Sequence, residues 1–264
     1  MMAETICPWA ISEKEQLKCI ISLMSDCPFA GDNVKCDILQ FAPYDKEAEM
    51  DIVEIYPAIS GEGASTGKVC VIVRTAGCNL RCSYCDTTYA YEGGIKRKTQ
   101  DVVDEVLSYG INTVLFTGGE PLLNRQIASN FLRAMLEYNI DVYVETNGSV
   151  DVRGVKLLAH IVLDVKTPSS GMHEYMYWRN LGVIGSQDEV KFVLSDRADY
   201  EYAKKIIEEY RLPNKTPYIF FSPVWKDDMS FVKELAGWMI NDKVVARLML
   251  QQHKVIYGKD IRSV

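Results

Sequence analysis

Three cysteines, Cys78, Cys82 and Cys85, fall in the run Gly77-Cys78-Asn79-Leu80-Arg81-Cys82-Ser83-Tyr84-Cys85-Asp86-Thr87. Their spacing is C-x3-C-x2-C. A structural zinc site is closed by four ligands, and no fourth cysteine or histidine follows nearby. Three thiolates on one short loop suit a cubane iron–sulfur cluster, because soft sulfur ligands favour such clusters. One iron then lacks a protein ligand and can bind a small molecule. The plain alternative is three buried structural thiols, since cysteine packs as a small hydrophobe. Arg81, Ser83 and Asp86 make the run a polar loop instead. A zinc ion closed by a distant fourth ligand is the competing metal.

Such a loop needs a frame. From residue 51 onward, strand-like and helix-like runs alternate. Strands are expected at 51–56, 68–75, 113–117, 141–145, 161–165, 189–194 and 218–221. Helices are expected near 100–109, 125–138, 152–159, 198–210 and 228–240. Val- and Ile-rich strands separated by helices predict a parallel sheet with crossover helices. About six such units fall short of the eight of a closed barrel. The expected fold class is therefore α/β, a partial, open (β/α)6 barrel. In such folds ligands gather at the carboxyl ends of the strands. Thr117-Gly118-Gly119-Glu120-Pro121 follows one strand and Glu145-Thr146-Asn147-Gly148 another. Asp164-Val165-Lys166-Thr167 ends a third, Ser222-Pro223-Val224-Trp225 a fourth, and the cysteine loop follows 68–75. Polar, glycine-rich endings thus converge on one rim.

The chain has 264 residues and a formal charge of −7. Nucleic-acid binders carry a basic face. The one dense basic cluster here, Lys96-Arg97-Lys98, reads as a solvated turn. A small-molecule substrate is expected, and no nucleic acid. Eight cysteines in an acidic chain do not read as a secreted disulfide scaffold. No signal-peptide pattern opens the chain, and no apolar run reaches membrane-spanning length. The expected setting is cytoplasmic, with no membrane. Residues 1–50 read differently. Ser12-Glu13-Lys14-Glu15 is a capping box, and Leu17, Ile20, Ile21 and Met24 follow at helical spacing, which predicts a helix over about 12–25. The chain divides into a partly helical N-terminal extension, 1–50, and a barrel domain, 51–264. Cys7, Cys19, Cys27 and Cys36 of the extension form no C-x2-C pair and read as free thiols.

The cysteine loop and the Gly118-Gly119-Glu120-Pro121 turn together resemble the radical S-adenosylmethionine (radical SAM) superfamily. The resemblance implies a [4Fe–4S] cluster on Cys78, Cys82 and Cys85. It also implies a Gly118-Gly119-Glu120 turn that binds the amino group of S-adenosylmethionine, with Glu120 offering its carboxylate to the ammonium. Further features narrow the family. Ile59-Ser60-Gly61-Glu62-Gly63-Ala64, Thr66-Gly67, Arg74, Cys85-Asp86-Thr87 and Gln252-His253-Lys254 resemble the 7-carboxy-7-deazaguanine synthases, from about residue 51 to the C-terminus.

That resemblance implies a carbon–nitrogen lyase of deazapurine, queuosine-type, biosynthesis. It would convert 6-carboxy-5,6,7,8-tetrahydropterin to 7-carboxy-7-deazaguanine with loss of ammonia. S-adenosylmethionine would be regenerated, and Mg²⁺ would be held by Thr87, as suits a hard cation with few protein ligands. Ile59, Ser60, Gly61 and Glu62 would line the pterin, and Arg74 would pair with its carboxylate. Thr117, His253 and the terminal Val264 would also border substrate. Tyr84, Asp86, Gly119, Glu145, Asp164, Val165, Lys166, Ser222, Val224 and Trp225 would border S-adenosylmethionine. Ser60 stands where the family commonly has glutamine. A flavodoxin- or ferredoxin-type reductant and a homodimer are implied. Two other functions stay open: a glycyl-radical activase, which needs neither Gly61-Glu62-Gly63 nor Thr87, and a non-catalytic iron–sulfur module, which has no use for Glu120.

Overall fold

A computed structural model describes residues 10–13, 16–19, 44–225 and 228–258. A short antiparallel ribbon comes first, β1 (Ala10–Glu13) against β2 (Gln16–Cys19). It replaces the start of the helix expected over 12–25. Gln16-Leu17-Lys18-Cys19 alternates polar and apolar residues, so a strand satisfies the local pattern as well as a helix does. The extension's Cys7, Cys27 and Cys36 lie outside the described residues.

The main sheet contains β3 (Glu49–Ile59), β4 (Val69–Thr75), β5 (Ile95–Lys98), β6 (Thr113–Gly118) and β7 (Asp141–Thr146). It continues with β8 (His160–Asp164), β9 (Glu189–Leu194), β10 (Tyr218–Pro223) and β11 (Arg247–Leu248). The strand order is β11-β10-β9-β8-β7-β6-β4-β3-β5. From β4 to β11 every pairing is parallel, whereas β3 runs antiparallel to both β4 and β5. Among the described residues β11 and β5 have no further strand beside them, so the sheet does not close and the barrel is open, as expected. Parallel strands are covered on both faces and read as apolar runs. In β6, Val114, Leu115 and Phe116 are all buried.

The helices are α1 (Thr99–Ser108), α2 (Arg125–Glu137), α3 (Asn180–Val183), α4 (Arg197–Glu209), α5 (Ser230–Asp242) and α6 (Gln252–Tyr257). Asn124 starts α2 by accepting from the Ile127 amide at 3.2 Å, which satisfies an orphan donor of the first turn. Ala128, Phe131, Leu132 and Met135 recur at helical spacing and are buried against the sheet. Phe131 packs at a tilt against Phe116, with ring centroids 4.9 Å apart. Truncating such a ring to alanine costs about 3–5 kcal/mol.

Three expectations need correcting. The β7–β8 crossover holds turns, not a helix, over 152–159. Gly154 weakens a helix there, and the Val152 amide bonds to the Asn180 side chain instead. Lys96-Arg97-Lys98 is no turn but edge strand β5. Its charges pair with Glu49, Glu105 and Glu47, and charged residues guard a free edge against further pairing. A boundary at residue 50 falls inside β3. Tyr44 and Met50 belong to the main core, and the Asp45 backbone exchanges two hydrogen bonds with Asn130 of α2.

Candidate active site

A cavity of about 450 Å³ opens at the carboxyl ends of the parallel strands, a size suited to organic ligands. Most residues singled out in the sequence meet there. Ile59, Gly61 and Glu62 come from the end of β3 and the loop after it, and Arg74 from β4. The cysteine loop contributes Cys82, Tyr84, Cys85, Asp86 and Thr87. Thr117 comes from β6, Glu145 from β7, and Asp164 and Lys166 from the end of β8. Ser222, Val224 and Trp225 end β10, and His253 enters from α6.

Others lie behind this wall. Ser60 is 1% exposed and its hydroxyl shares a 2.7 Å hydrogen bond with Ser65, so it shapes the loop rather than lining the cavity. Val165 is fully buried in the core. Gly118 packs against Thr75 at the end of β4, and Gly119 against the start of the cysteine loop. A Cβ on Gly119 would come within 2.2 Å of the Gly77 carbonyl oxygen and 2.8 Å of the Cys78 Cβ. Glu120 is 1% exposed. Its oxygens accept from the Leu122 amide at 3.0 Å, the Thr146 hydroxyl at 2.9 Å and the Asn147 amide at 2.7 Å. The Glu120 carboxylate thus pins the β6 turn to the end of β7. Burial pushes its carboxyl up to about 7, against the pull of those hydrogen bonds. Val264 lies outside the described residues.

Several groups at or next to the cavity were not singled out in the sequence. Lys191 of β9 sits 2.8 Å from Glu62 Oε2 and 4.0 Å from Asp164 Oδ2, and Lys166 sits 2.9 Å from Asp164 Oδ2. Gln251 Nε2 donates to Glu62 Oε1 at 2.6 Å. Burial raises the Glu62 carboxyl, but the Lys191 charge and the bonds from Lys191 and Gln251 outweigh it and hold the group below the usual carboxylate range. Arg74 Nε donates to Glu54 Oε1 at 2.6 Å, and the Tyr89 hydroxyl donates to the same oxygen at 3.0 Å. A lone lysine in the apolar strand EVKFVL was the available signal for Lys191. Glu54 and Gln251 gave none.

The segment that carries α6 roofs the cavity. The Gln252 amide donates to the Gly61 carbonyl at 2.9 Å. A Cβ on Gly61 would come within 2.1 Å of His253 Nδ1, so only glycine lets that ring lie there. Lys254 pairs with Asp86. Burial pushes the Asp86 carboxyl up, yet the Lys254 charge and hydrogen bond carry it down to about 2. Burial also lowers His253 from its ordinary value, which keeps the imidazole neutral at pH 7.

The donor set can be compared with the groups a C-x3-C-x2-C loop would hold. Cys78, Cys82 and Cys85 are free, half-buried thiols. Among the described residues no three acidic, thiol or imidazole side chains converge to hold one metal ion. A cubane does not ask for that convergence, since each thiolate takes a separate iron. Asp164 lines the cavity, and its Oδ1 is buried without a hydrogen-bond partner. A buried acceptor left unpaired costs about 1–3 kcal/mol, and a ligand hydroxyl or amine would satisfy it. Thr87 and Asp86 bring hard oxygens to the cavity that Arg74 also lines, with the Thr87 hydroxyl 2.9 Å from Asp86 Oδ1. The residues fit a cubane, a nucleoside-bearing ligand and a hard divalent cation.

Comparison with known proteins bears on the same residues. The model of the radical SAM superfamily matches residues 72–212. The chain is 36% identical to a 7-carboxy-7-deazaguanine synthase of Koribacter versatilis, over 81% of this chain and 100% of the relative. It is also 36% identical to the synthase of Methanospirillum hungatei, over 81% of this chain and 88% of the relative. Among solved structures, QueE from Escherichia coli superposes with a TM-score of 0.63 at 21% identity. That match covers 78% of this chain and 95% of QueE, and shows the shared fold.

Proposed function

The chain belongs to the radical SAM superfamily and, within it, to the 7-carboxy-7-deazaguanine synthase family, and from that premise we propose how its residues divide the work. The protein is a carbon–nitrogen lyase of deazapurine biosynthesis, acting on 6-carboxy-5,6,7,8-tetrahydropterin with a [4Fe–4S] cluster, S-adenosylmethionine and Mg²⁺. One observation carries the assignment of roles. Two kinds of group line a single cavity: the thiols Cys82 and Cys85, and the charged side chains Glu62, Lys191 and Arg74, with Glu62 paired to Lys191 and Arg74 to Glu54.

Cys78, Cys82 and Cys85 would hold the cluster. When bound, the reduced cluster and S-adenosylmethionine supply one-electron, hydrogen-abstracting chemistry. Asp164, held at Oδ2 by Lys166, would border the nucleoside. Glu62 is held ionised by Lys191 and Gln251, so it accepts from the amino and ring N–H groups of a pterin. Arg74, gripped at Nε by Glu54, turns the rest of its fork to the substrate carboxylate. Thr87, with Asp86 behind it, would hold Mg²⁺. His253, neutral over Gly61, takes or returns a proton at the substrate without first losing one. The roof of Gln251 to Lys254 excludes water from the chamber.

The N-terminal extension, residues 1–50, is accessory in this reading. A homodimer, a flavodoxin- or ferredoxin-type reductant and a cytoplasmic setting follow from family analogy. Among the described residues no helix is long and apolar enough to cross a membrane. The test is anaerobic: reconstitute the cluster, reduce it, and add S-adenosylmethionine, Mg²⁺ and the carboxytetrahydropterin. Deazaguanine product is expected. Uncoupled cofactor cleavage without product would favour an activase, and no cleavage at all a non-catalytic module.

A further inference from the structure

We propose that Asn147 sets the ease with which the iron–sulfur cluster is reduced, by donating a side-chain amide hydrogen to the sulfur of Cys78. The proposal rests on the reading of Cys78 as a cluster ligand. Asn147 follows β7 and is 8% exposed. Its Nδ2 lies 3.8 Å from Cys78 Sγ and 3.1 Å from Asn79 Oδ1.

The orientation of this amide is fixed by chemistry. Oδ1 accepts from the Ser149 backbone amide at 3.0 Å and from the Ser149 hydroxyl at 2.6 Å. A backbone N–H can only donate, so the oxygen must face Ser149. The NH₂ group is then the one aimed at the sulfur. The Asn147 main chain is held as well, since its amide donates to buried Glu120. One NH₂ hydrogen serves Asn79 and the other serves Cys78. The Leu80 amide reaches the same sulfur at 3.4 Å.

Hydrogen bonds to the sulfurs of an iron–sulfur cluster are one of the protein's levers on its potential. Reduction adds one electron, and part of that charge resides on the thiolate sulfurs. An N–H aimed at the sulfur stabilises the more negative state. Asn147 therefore makes the cluster easier to reduce, and does so from the strand end that also carries Glu145 into the cavity. No proton transfer is involved.

The test is a redox titration of anaerobically reconstituted full-length protein, followed by electron paramagnetic resonance of the reduced cluster. Asn147→Ala removes the donor. Asn147→Asp keeps the shape and the acceptor for Ser149, but turns an oxygen toward the sulfur. At one fixed potential the ratio of reduced to oxidised cluster should fall about tenfold in Asn147→Ala, a shift of about 59 mV for a one-electron couple. It should fall further in Asn147→Asp. Iron and sulfide content should match the parent protein. Equal ratios in all three proteins would overturn the proposal. Loss of the cluster from both variants would also overturn it, because Asn147 would then hold the loop and not tune the metal. Parent protein that shows no cluster signal would instead defeat the underlying assignment of Cys78.

Discussion

Lys191 places one ammonium 2.8 Å from a Glu62 oxygen and 4.0 Å from an Asp164 oxygen, so a single charge ties the loop after β3 to the end of β8. The side chains of Lys191 and Glu62 are 13% and 16% exposed, so neither charge is screened as a surface pair would be. Removing one partner of such a buried pair strands the other and costs about 3–5 kcal/mol. Lys191→Met should lower the unfolding free energy measured in urea by that amount and raise KM for the pterin. Adding Glu62→Gln should restore part of the stability without restoring KM. An unchanged midpoint in Lys191→Met would show that the pair does not form.

Cys82 lines the cavity and belongs to the loop assigned to the cluster. Cys82→Ala should abolish the brown colour of the reconstituted protein and its cleavage of S-adenosylmethionine. Cys70 is a fully buried thiol on β4 that packs with Ala58 and Leu115, and Cys70→Ala should keep the colour. Visible absorbance after anaerobic reconstitution separates the two, and a coloured, active Cys82→Ala protein would remove the cluster assignment.

Glu54 accepts from Arg74 at 2.6 Å, and both are largely buried. A hydrogen bond to a charged group contributes about 1.5–3 kcal/mol. Glu54→Gln should loosen the guanidinium and raise KM for the pterin about tenfold, with S-adenosylmethionine affinity unchanged. Parallel losses of both affinities in steady-state kinetics and direct binding would point to a general distortion of the cavity instead.

Glu189 is 1% exposed, and only one of its oxygens is occupied, by the Ala64 amide at 3.0 Å. Burial, with help from nearby carboxylates, pushes its carboxyl from the ordinary 4.5 up to about 7. The folded value lies above the unfolded one. The associated stability is therefore fully present below 4.5 and is lost as pH rises through 7, about 1.4 kcal/mol per unit and roughly 3 kcal/mol in all. Glu189→Gln should flatten the decline in stability between pH 5 and 7.5. Urea unfolding at the two ends of that window reads it, and an identical decline in the variant would refute the assignment.

Thr87 borders the cavity with its hydroxyl against Asp86. Thr87→Ala should blunt the response of product formation to added Mg²⁺ while leaving cluster content intact. An unchanged Mg²⁺ titration would place the ion elsewhere.

The residues legible in the sequence are those whose chemistry is local. C-x3-C-x2-C declares its purpose within one loop, and polar residues just past apolar strands declare the rim. What stayed hidden depends on which way a side chain turns or what crosses the sheet. Spacing placed Glu120 at the rim but could not reveal that three donors from its own turn and the end of β7 occupy its carboxylate. Ser60 sits beside Gly61 in the chain but faces Ser65. Lys191 meets Glu62 only because β9 stands in the same sheet as β3, far along the chain. The ribbon at residues 10–19 and the turns over 152–159 were missed because short apolar runs fit more than one period.

The roof formed by Gln251, Gln252, His253 and Lys254 has a consequence for how the enzyme comes into being. The strands and the cysteine loop are translated well before it, and chains tend to fold from the N-terminal side as they are made. A nascent polypeptide would therefore own a sheet and three waiting sulfurs before it owned a chamber. The vessel closes only once Gln251 to Lys254 have been made and have settled over Gly61.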